Sequence, residues 1–349
     1  MDKRSGVLAE GPKLDGMIMR IRLPVLVMLL LPIFPAVGEK HVFERELMAT
    51  RFTIVAYTQD RELVEKAAEA AFALAEKVNF VASDYLPDSE LGQLTTKPVN
   101  VPVSLSPLLH DLLDHSRKLA EATQGAFDPT LGPLTKLWRE TRKNKCLPDP
   151  QTLQTARAAT GWKHFSLNRE DRSITLLQKN MAFDLGGIAK GYAADLMLES
   201  LIAAGIPQSM VTAGGDIRLG DPPLGRDGWN VAVQTFDLKK RDEILVLANA
   251  AVSTSGDLHQ SVEIDGLKYS HVLDPGTGVG LTKRIAATVI ADSGKLSDPI
   301  ATAACVLGEE NSGLLKKISG VREVKIRTFK EPLSGQGFGV PVKGSQNEK

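Results

Sequence analysis

The stretch Asp184-Leu-Gly-Gly-Ile-Ala-Lys-Gly-Tyr-Ala-Ala-Asp195 gives the clearest local indication of fold in this sequence. Apolar residues precede it, two adjacent glycines tighten it and alanines follow, which predicts a strand, a turn and the start of a helix. Lys190 would lie in the first helical turn, where its charge opposes the helix macrodipole unless an anion lies nearby. Two interpretations remain open: a turn that binds phosphate, or glycines that permit close packing beside a solvated lysine.

Hydrophobic periodicity elsewhere in the chain predicts both helices and strands. Helical spacing of apolar residues is found over 60–81, 105–123, 151–160, 188–204, 298–307 and 312–318. Strand character is found over 52–57, 210–212, 229–234, 244–248, 262–264 and 287–291, and 163–177 alternates like a hairpin. Because such mixed runs are typical of the α+β class, we expect mixed, mostly antiparallel sheets flanked by helices.

Composition and motif spacing argue against several function classes. The 349 residues include 42 basic and 42 acidic side chains, which leave no net charge, so nucleic acid is not a predicted partner. The six histidines and two cysteines show no zinc-binding spacing. The glycines around Lys190 match neither the dinucleotide-binding fingerprint nor the phosphate loop, so neither a Rossmann nor a P-loop fold is indicated.

The N-terminal region has the pattern of a secretion signal. Arg20 and Arg22 precede an apolar run over 23–34, and the small residues Ala36 and Gly38 follow at cleavage spacing. The run is shorter than the ~20 residues that a membrane span needs. We therefore expect export to the periplasm with cleavage near residue 38. An uncleaved signal that holds the protein at the inner membrane is the alternative.

Asp298 and Thr302 form the most specific candidate pair of ligands. They are four residues apart in a predicted helix, so their oxygens share one face and can reach one cation, for which hard oxygen ligands favour Mg²⁺. The Asp298-Pro299 pair is also typical of a helix N-cap followed by proline at the first helical position. The local pattern by itself favours the cap.

Several short blocks follow one another along most of the chain: Met48-Ala-Thr-Arg-Phe52, Ser83-Asp-Tyr-Leu-Pro-Asp-Ser-Glu-Leu91, Gly125-Ala-Phe-Asp-Pro-Thr-Leu-Gly-Pro-Leu134, Asp184 to Asp195, Ala213-Gly-Gly-Asp-Ile217, Val252-Ser-Thr-Ser-Gly-Asp257, Tyr269-Ser-His-Val-Leu-Asp-Pro-Gly-Thr-Gly278 and Ser297-Asp-Pro-Ile-Ala-Thr302. In sequence and in order, these blocks resemble the FAD:protein FMN transferases, the ApbE-like flavin transferases. They extend from about residue 43 to about residue 330. Gly276 departs from the family, in which arginine is common at the matching position.

This resemblance implies a magnesium-dependent enzyme with FAD as its substrate. It would transfer the FMN moiety to a threonine or serine hydroxyl of an acceptor flavoprotein and release AMP. The family's Mg²⁺ ligands correspond to Asp298, Thr302 and the backbone carbonyl of Gly187. Lys190 would add a second cation at the pyrophosphate, and either His271 or Asp257 would act as the base.

The resemblance also assigns flavin contacts, domain limits and partners. The matching FAD contacts are Met48, Tyr85, Ala126, Phe127, Asp128, Asp184, Lys190, Thr254 and Val272. We expect an N-terminal extension and secretion signal over 1–38, a catalytic domain over 39–331 that could comprise two lobes, and a flexible tail over 332–349. The implied acceptors are flavoprotein subunits of sodium-pumping (Nqr-type) or Rnf-type electron-transport complexes. An FAD pyrophosphatase and a non-catalytic exported flavin carrier are the alternatives.

Overall fold

The computed structural model describes residues 38–233, 243–256 and 261–328. Residues 1–37 of the predicted secretion signal, the predicted tail and Asp257 lie outside these ranges. The helices are α1 (Arg61–Ala82), α2 (Glu90–Leu94), α3 (Pro107–Ala122), α4 (Gly132–Asn144), α5 (Pro150–Ala158), α6 (Ala189–Ala203) and α7 (Gly294–Asn311). The strands are β1 (Glu39–Leu47), β2 (Thr50–Thr58), β3 (Pro102–Ser104), β4 (Phe165–Asn168), β5 (Ser173–Leu176), β6 (Ser209–Ala213), β7 (Asp216–Leu219), β8 (Trp229–Val233), β9 (Glu243–Leu247), β10 (Ala250–Gly256), β11 (Ser261–Ile264), β12 (Leu267–Ser270), β13 (Ile285–Ala291) and β14 (Val321–Thr328).

A seven-stranded antiparallel sheet with the order β1-β2-β6-β7-β10-β13-β14 is the centre of the fold. Three smaller antiparallel sheets, β3-β5-β4, β8-β9 and β11-β12, accompany it. Helices α6 and α7 contact the large sheet, and α1 contacts α6. The arrangement confirms the predicted α+β class with mostly antiparallel sheets. Within the described ranges, no helix is both long and apolar enough to cross a membrane.

Alternation along β2 explains how the large sheet has two packed faces. Phe52 and Ile54 are fully buried in the main core with α1 and α6, whereas Val55 belongs to a second cluster with Trp229 and Val231 of β8. Successive side chains of a strand point to opposite faces of the sheet. Because β2 has apolar residues at both even-numbered and odd-numbered positions, both faces of the sheet are buried there. The helices therefore cover one face of the sheet, and the β8-β9 hairpin covers the other.

The strongly periodic segments were predicted within a few residues, and weaker ones were not. Helices α1, α3, α5 and α6, strand β2 and the β4-β5 hairpin confirm their predictions. Helix α7 begins at Gly294, four residues before the predicted start, and the segment predicted as a last helix is a 3₁₀ helix over Ser312–Lys317. Helix α4 and the edge strands β1 and β14 were not predicted.

Candidate active site

One cavity, with a volume of about 320 Å³, collects most of the residues that the sequence singled out. Its predicted members are Tyr85, Ala126, Phe127, Asp128, Asp184, Gly187, Lys190, His271, Val272, Asp298 and Thr302. They come from loops, from the first turn of α6 and from the N-terminal half of α7. A volume of this size falls within the range of small-molecule sites, so the cavity is the candidate active site.

The glycine-rich turn is held by hydrogen bonds to Asp184. The N–H of Gly186 donates to Asp184 Oδ1 at 2.8 Å, and the N–H of Asp184 donates to the carbonyl of Pro129 at 2.9 Å. The sequence predicted a strand that ends at Asp184, which is wrong: 181–185 has no strand partner among the described residues. The segment bonds to the Pro129 loop instead, and this contact orients the turn toward the cavity.

Helices α6 and α7 cross at their N-termini and cap each other. The N–H groups of Gly294 and Lys295 both donate to the Asp195 carboxylate at 2.8 Å, and the N–H of Gly191 donates to Asp298 Oδ2 at 3.2 Å. The two helices approach so closely that a Cβ at Gly191 would lie 2.2 Å from the carbonyl oxygen of Gly294. Only glycine fits such a contact, so the crossing fixes where Asp298 enters the cavity.

This crossing shows that the N-cap interpretation of Asp298 is wrong. Asp298 lies inside α7, whose N-cap residue is Ser293 and whose first N–H groups are bonded by Asp195. Because Asp195 comes from another helix, the local Asp-Pro pattern could not locate the true start. Asp298 and Thr302 consequently stand one turn apart on α7 and both line the cavity.

Lys190 forms a buried charge cluster with two carboxylates. Its Nζ lies 3.1 Å from Asp216 Oδ2 and 3.3 Å from Asp298 Oδ2, and it donates to the carbonyl of Gly186 at 3.3 Å. The carboxylates are nearly inaccessible, at 6% and 4% exposure. The interpretation of Lys190 as a solvated side chain is therefore wrong. The carboxylates of Asp216 and Asp298 supply negative charge at this helix start.

The cluster is electrically unbalanced. Burial disfavours the Lys190 ammonium, but Asp216 and Asp298 outweigh that effect and raise its pKa. Burial, reinforced by the nearby Asp216, raises the pKa of Asp298 to about 7, although Lys190 acts in the opposite direction. Two carboxylates share a single ammonium, so one negative charge lacks a partner when both are ionised. A second cation would relieve the repulsion between the carboxylates.

The donors around this charge suit Mg²⁺. Asp298 offers a carboxylate, and the Thr302 hydroxyl lies 3.3 Å from the Ser255 hydroxyl. The turn passes close by, since a Cβ built on Gly187 would lie 3.5 Å from Thr302 Oγ1. Within the described ranges, no group of three or more His, Cys, Asp or Glu residues could hold a metal. A carboxylate, a hydroxyl and a backbone carbonyl are hard oxygen donors, and Mg²⁺ bound by few protein ligands retains water.

An aromatic ring and a guanidinium flank the cavity. Arg139 lies over the Tyr85 ring, 4.0 Å from its centroid, and forms ion pairs with Asp84 and Asp184. Tyr85 is 72% exposed, so its side chain does not belong to the core. Burial raises the pKa of Asp84, while Asp84 and Asp184 raise the pKa of Arg139 against its own burial. The ring thus has one partner and remains accessible to a ligand.

Asp128 has a structural role beside the cavity. Its Oδ1 accepts from the N–H and hydroxyl of Thr130 at 2.8 and 2.6 Å, and its Oδ2 accepts from the N–H of Trp162 at 3.0 Å. Burial raises the pKa of the Asp128 carboxyl, and these hydrogen bonds counteract it. Asp128 therefore fixes the loop that presents Ala126 and Phe127 to the cavity.

Two predicted flavin contacts lie away from the cavity lining. The Thr254 hydroxyl bonds to the Thr288 hydroxyl at 2.9 Å, because alternation along β10 turns it away from the face that carries Ser255. Met48 occupies the turn between β1 and β2 with a φ of 51° and packs against the main core. His271 and Val272 follow β12 and line the cavity. Asp257 lies outside the described residues.

Sequence reasoning missed several residues of the site. Arg139 and Arg142 line the cavity from α4, and Asp84 and Ser255 also line it. The signal for α4 was present: Pro133 opens the segment, and Leu134, Trp138 and Thr141 follow at helical spacing with buried side chains. The role of Asp216 as a Lys190 partner had no local signal.

Comparisons with known proteins agree on one family. The ApbE family model matches residues 48–324. The FAD:protein FMN transferase of Vibrio cholerae is 34% identical over 281 residues, covering 75% of this chain and 83% of that protein. The Treponema pallidum FAD:protein FMN transferase is 30% identical over 292 residues, covering 79% and 81%. The crystal structure of Pseudomonas stutzeri flavinyl transferase ApbE in its apo form gives a TM-score of 0.74 at 27% identity, covering 86% and 97%. The Thermotoga maritima ApbE protein gives 0.75 at 27% identity, covering 83% and 94%.

Proposed function

Since the chain belongs to the ApbE family and is an FAD:protein FMN transferase, we propose that it transfers FMN from FAD to a serine or threonine hydroxyl of an acceptor protein in a Mg²⁺-dependent reaction. The observation that carries this proposal is the unbalanced cluster of Lys190, Asp216 and Asp298 beside the oxygen donors of Thr302 and the glycine-rich turn. A bound Mg²⁺ would give this cluster a net positive charge, which would stabilise a pyrophosphate.

The proposed reaction exchanges one phosphoryl–oxygen bond for another. The acceptor hydroxyl oxygen attacks the FMN-side phosphorus, the bond from that phosphorus to the bridging oxygen breaks, and AMP leaves with the bridging oxygen. His271 lines the cavity and is the proposed recipient of the hydroxyl proton. Bound Mg²⁺, held by Asp298, Thr302 and the Gly187 carbonyl, would neutralise charge on the pyrophosphate.

The remaining residues bind and orient the substrate. Lys190 offers an ammonium at the same place, and Asp216 keeps that ammonium charged and fixed. Tyr85 offers an accessible ring face for the isoalloxazine, while Phe127 contributes an apolar wall. Asp184 fixes the turn through its bond from Gly186. These contacts would hold the pyrophosphate beside Lys190 and the proposed Mg²⁺ site, so proximity would contribute to the rate.

We further propose where the enzyme acts and on what. The signal pattern of residues 1–38 supports export to the periplasm, with an uncleaved anchor at the inner membrane as the alternative. The proposed acceptors are flavoprotein subunits of Nqr-type or Rnf-type electron-transport complexes.

N-terminal sequencing of the exported protein tests the proposal of export with cleavage of the signal. A start near Glu39 is expected, and retention of residues 20–37 would contradict cleavage.

Product analysis with and without an acceptor tests the activity. The purified protein is incubated with FAD and Mg²⁺, and both AMP and the acceptor mass are measured. A transferase adds one FMN phosphodiester to the acceptor for each AMP released. Equal AMP release without an acceptor, and no gain in acceptor mass, would identify an FAD pyrophosphatase. Tight FAD binding without any AMP would identify a flavin carrier.

A further inference from the structure

A second groove, of about 460 Å³, opens beside the candidate active site. One wall carries Arg142, Lys143 and Lys145 from the C-terminal end of α4, and the other carries Ser261, Val262 and Glu263 of β11. We call it the basic groove. Arg139 and Arg142 line both the basic groove and the cavity, so the two are continuous. A segment of chain that lies in the basic groove would lead directly to the reaction site.

Three of the four cations of the basic groove have no ion-pair partner among the described residues. Arg142, Lys143 and Lys145 form no ion pair with any described residue, whereas Arg139 is paired with both Asp84 and Asp184. Basic residues in a last helical turn stabilise the helix dipole, which accounts for Arg142 and Lys143. Lys145 lies beyond the helix as its C-cap, with a φ of 51°. Among the described residues that line the groove, Glu263 is the one carboxylate.

The opposite wall offers backbone hydrogen-bonding groups. Strand β11 pairs only with β12 among the described strands, which leaves its other edge available. Val262 and Ile264 are buried against Leu134 and Trp138 of α4, so the strand is held firmly beside that helix. An exposed strand edge is a template for an added strand from another chain.

We propose that the basic groove binds an extended, acidic segment of the acceptor protein and delivers the neighbouring serine or threonine to the cavity. The inference rests on the proposed transfer to a protein hydroxyl. The β11 edge would bind the backbone of the segment, and the unpaired cations of α4 would bind its carboxylates. A strand edge facing the cations fits a polypeptide better than an anionic lipid headgroup, which has no backbone to pair.

Charge reversal in the groove, with a control on the same helix, tests this proposal. The variant is Lys143→Glu with Lys145→Glu in the full chain, and the control is Lys136→Glu, an exposed α4 residue that lines a different cavity. The probe is a fluorescein-labelled peptide of alternating glutamate and valine with one central threonine. A matched peptide carries lysine in place of glutamate. Binding is measured by anisotropy at low and at physiological salt.

We expect the acidic peptide to bind the wild type and the control equally, and roughly 10-fold more weakly to the double variant, with the difference reduced by salt. The lysine peptide should bind the wild type and the control far more weakly than the acidic peptide does. FAD affinity should be unchanged in the double variant, because neither lysine lines the cavity. This readout separates failure of the groove from failure of the proposed function.

Two results would overturn the proposal. The first is equal affinity of the acidic peptide for all three proteins. The second is loss of binding to phosphatidylserine-containing vesicles in the double variant while peptide affinity stays the same, which would make the basic groove a membrane contact.

Discussion

Replacing Lys190 with methionine removes the ammonium and keeps most of the apolar stem. The structure gives opposing terms for its effect on the free energy of unfolding. Removing a cation from a helix start removes its unfavourable interaction with the helix macrodipole, which stabilises the fold by about 0.3–1 kcal/mol. Leaving two buried carboxylates without their partner costs about 3–5 kcal/mol in a fully buried pair. Lys190 retains 28% exposure, so we expect the lower part of that range.

The expected net destabilisation is about 2–3 kcal/mol, or roughly 5 °C or more in melting temperature. With the helix macrodipole as the only contribution, the change would be neutral or mildly stabilising; the contacts of Lys190 with Asp216 and Asp298 reverse that sign. Lys295→Met is the matched control. Lys295 is also the second residue of its helix, and it forms no ion pair with a described residue. Its replacement should change stability by less than about 0.5 kcal/mol.

Urea denaturation of both variants without Mg²⁺ or FAD measures these terms. Added Mg²⁺ should stabilise Lys190→Met more than it stabilises the wild type, because the cation restores charge balance at Asp298. FAD turnover should fall roughly 10-fold to 150-fold through loss of a charge-assisted phosphate contact worth about 1.5–3 kcal/mol. An unfolding free energy equal to that of the wild type would refute the ion-pair reasoning, and an unchanged turnover would refute the phosphate contact.

Other variants test the helix crossing and the flavin contact. Gly191→Ala should destabilise the protein by about 1–3 kcal/mol or more, since its Cβ would meet Gly294, whereas Gly313→Ala, with nothing within 4 Å, should not. Asp195→Asn should lower the free energy of unfolding by about 2 kcal/mol, and it should weaken Mg²⁺ binding as measured by calorimetry. An unchanged Mg²⁺ affinity would show that the cap on α7 does not position Asp298. Tyr85→Ala should weaken FAD binding roughly 2-fold to 12-fold with stability within about 0.5 kcal/mol, and equal FAD affinity would exclude ring stacking.

The local sequence pattern was sufficient to predict those helices and strands whose limits depend on their own residues. The apolar stripe of α1 and the alternation of β2 follow from residues a few positions apart, and both elements form as expected. The charged edge strand β1 has no fully buried side chain, so its sequence pattern is weak, whereas α4 does carry a local helical signal. Tertiary packing determines such elements, and the sequence gives little sign of it.

The candidate site shows the same limit. The glycines, Lys190 and the Asp298–Thr302 pair were identified because their spacing is local or matches the family blocks. The residues that pair with them were not identified, because these partners are distant in the chain. Asp298 is 108 residues from Lys190, and Asp195 is 99 residues from Gly294. The helix start at Gly294 follows from that second contact, which is why the local cap pattern at Asp298 was misleading.

The proposed reaction requires Asp298 as the carboxylate that holds Mg²⁺ in the cavity where FAD would be split. The most direct test is to measure AMP release and acceptor mass in one reaction, across a Mg²⁺ titration, for the wild type and Asp298→Ala. We expect equal amounts of AMP and flavinylated acceptor from the wild type. The variant should give neither, while its melting temperature shows a retained fold. Wild-type AMP release with wild-type Mg²⁺ dependence in Asp298→Ala would contradict the account.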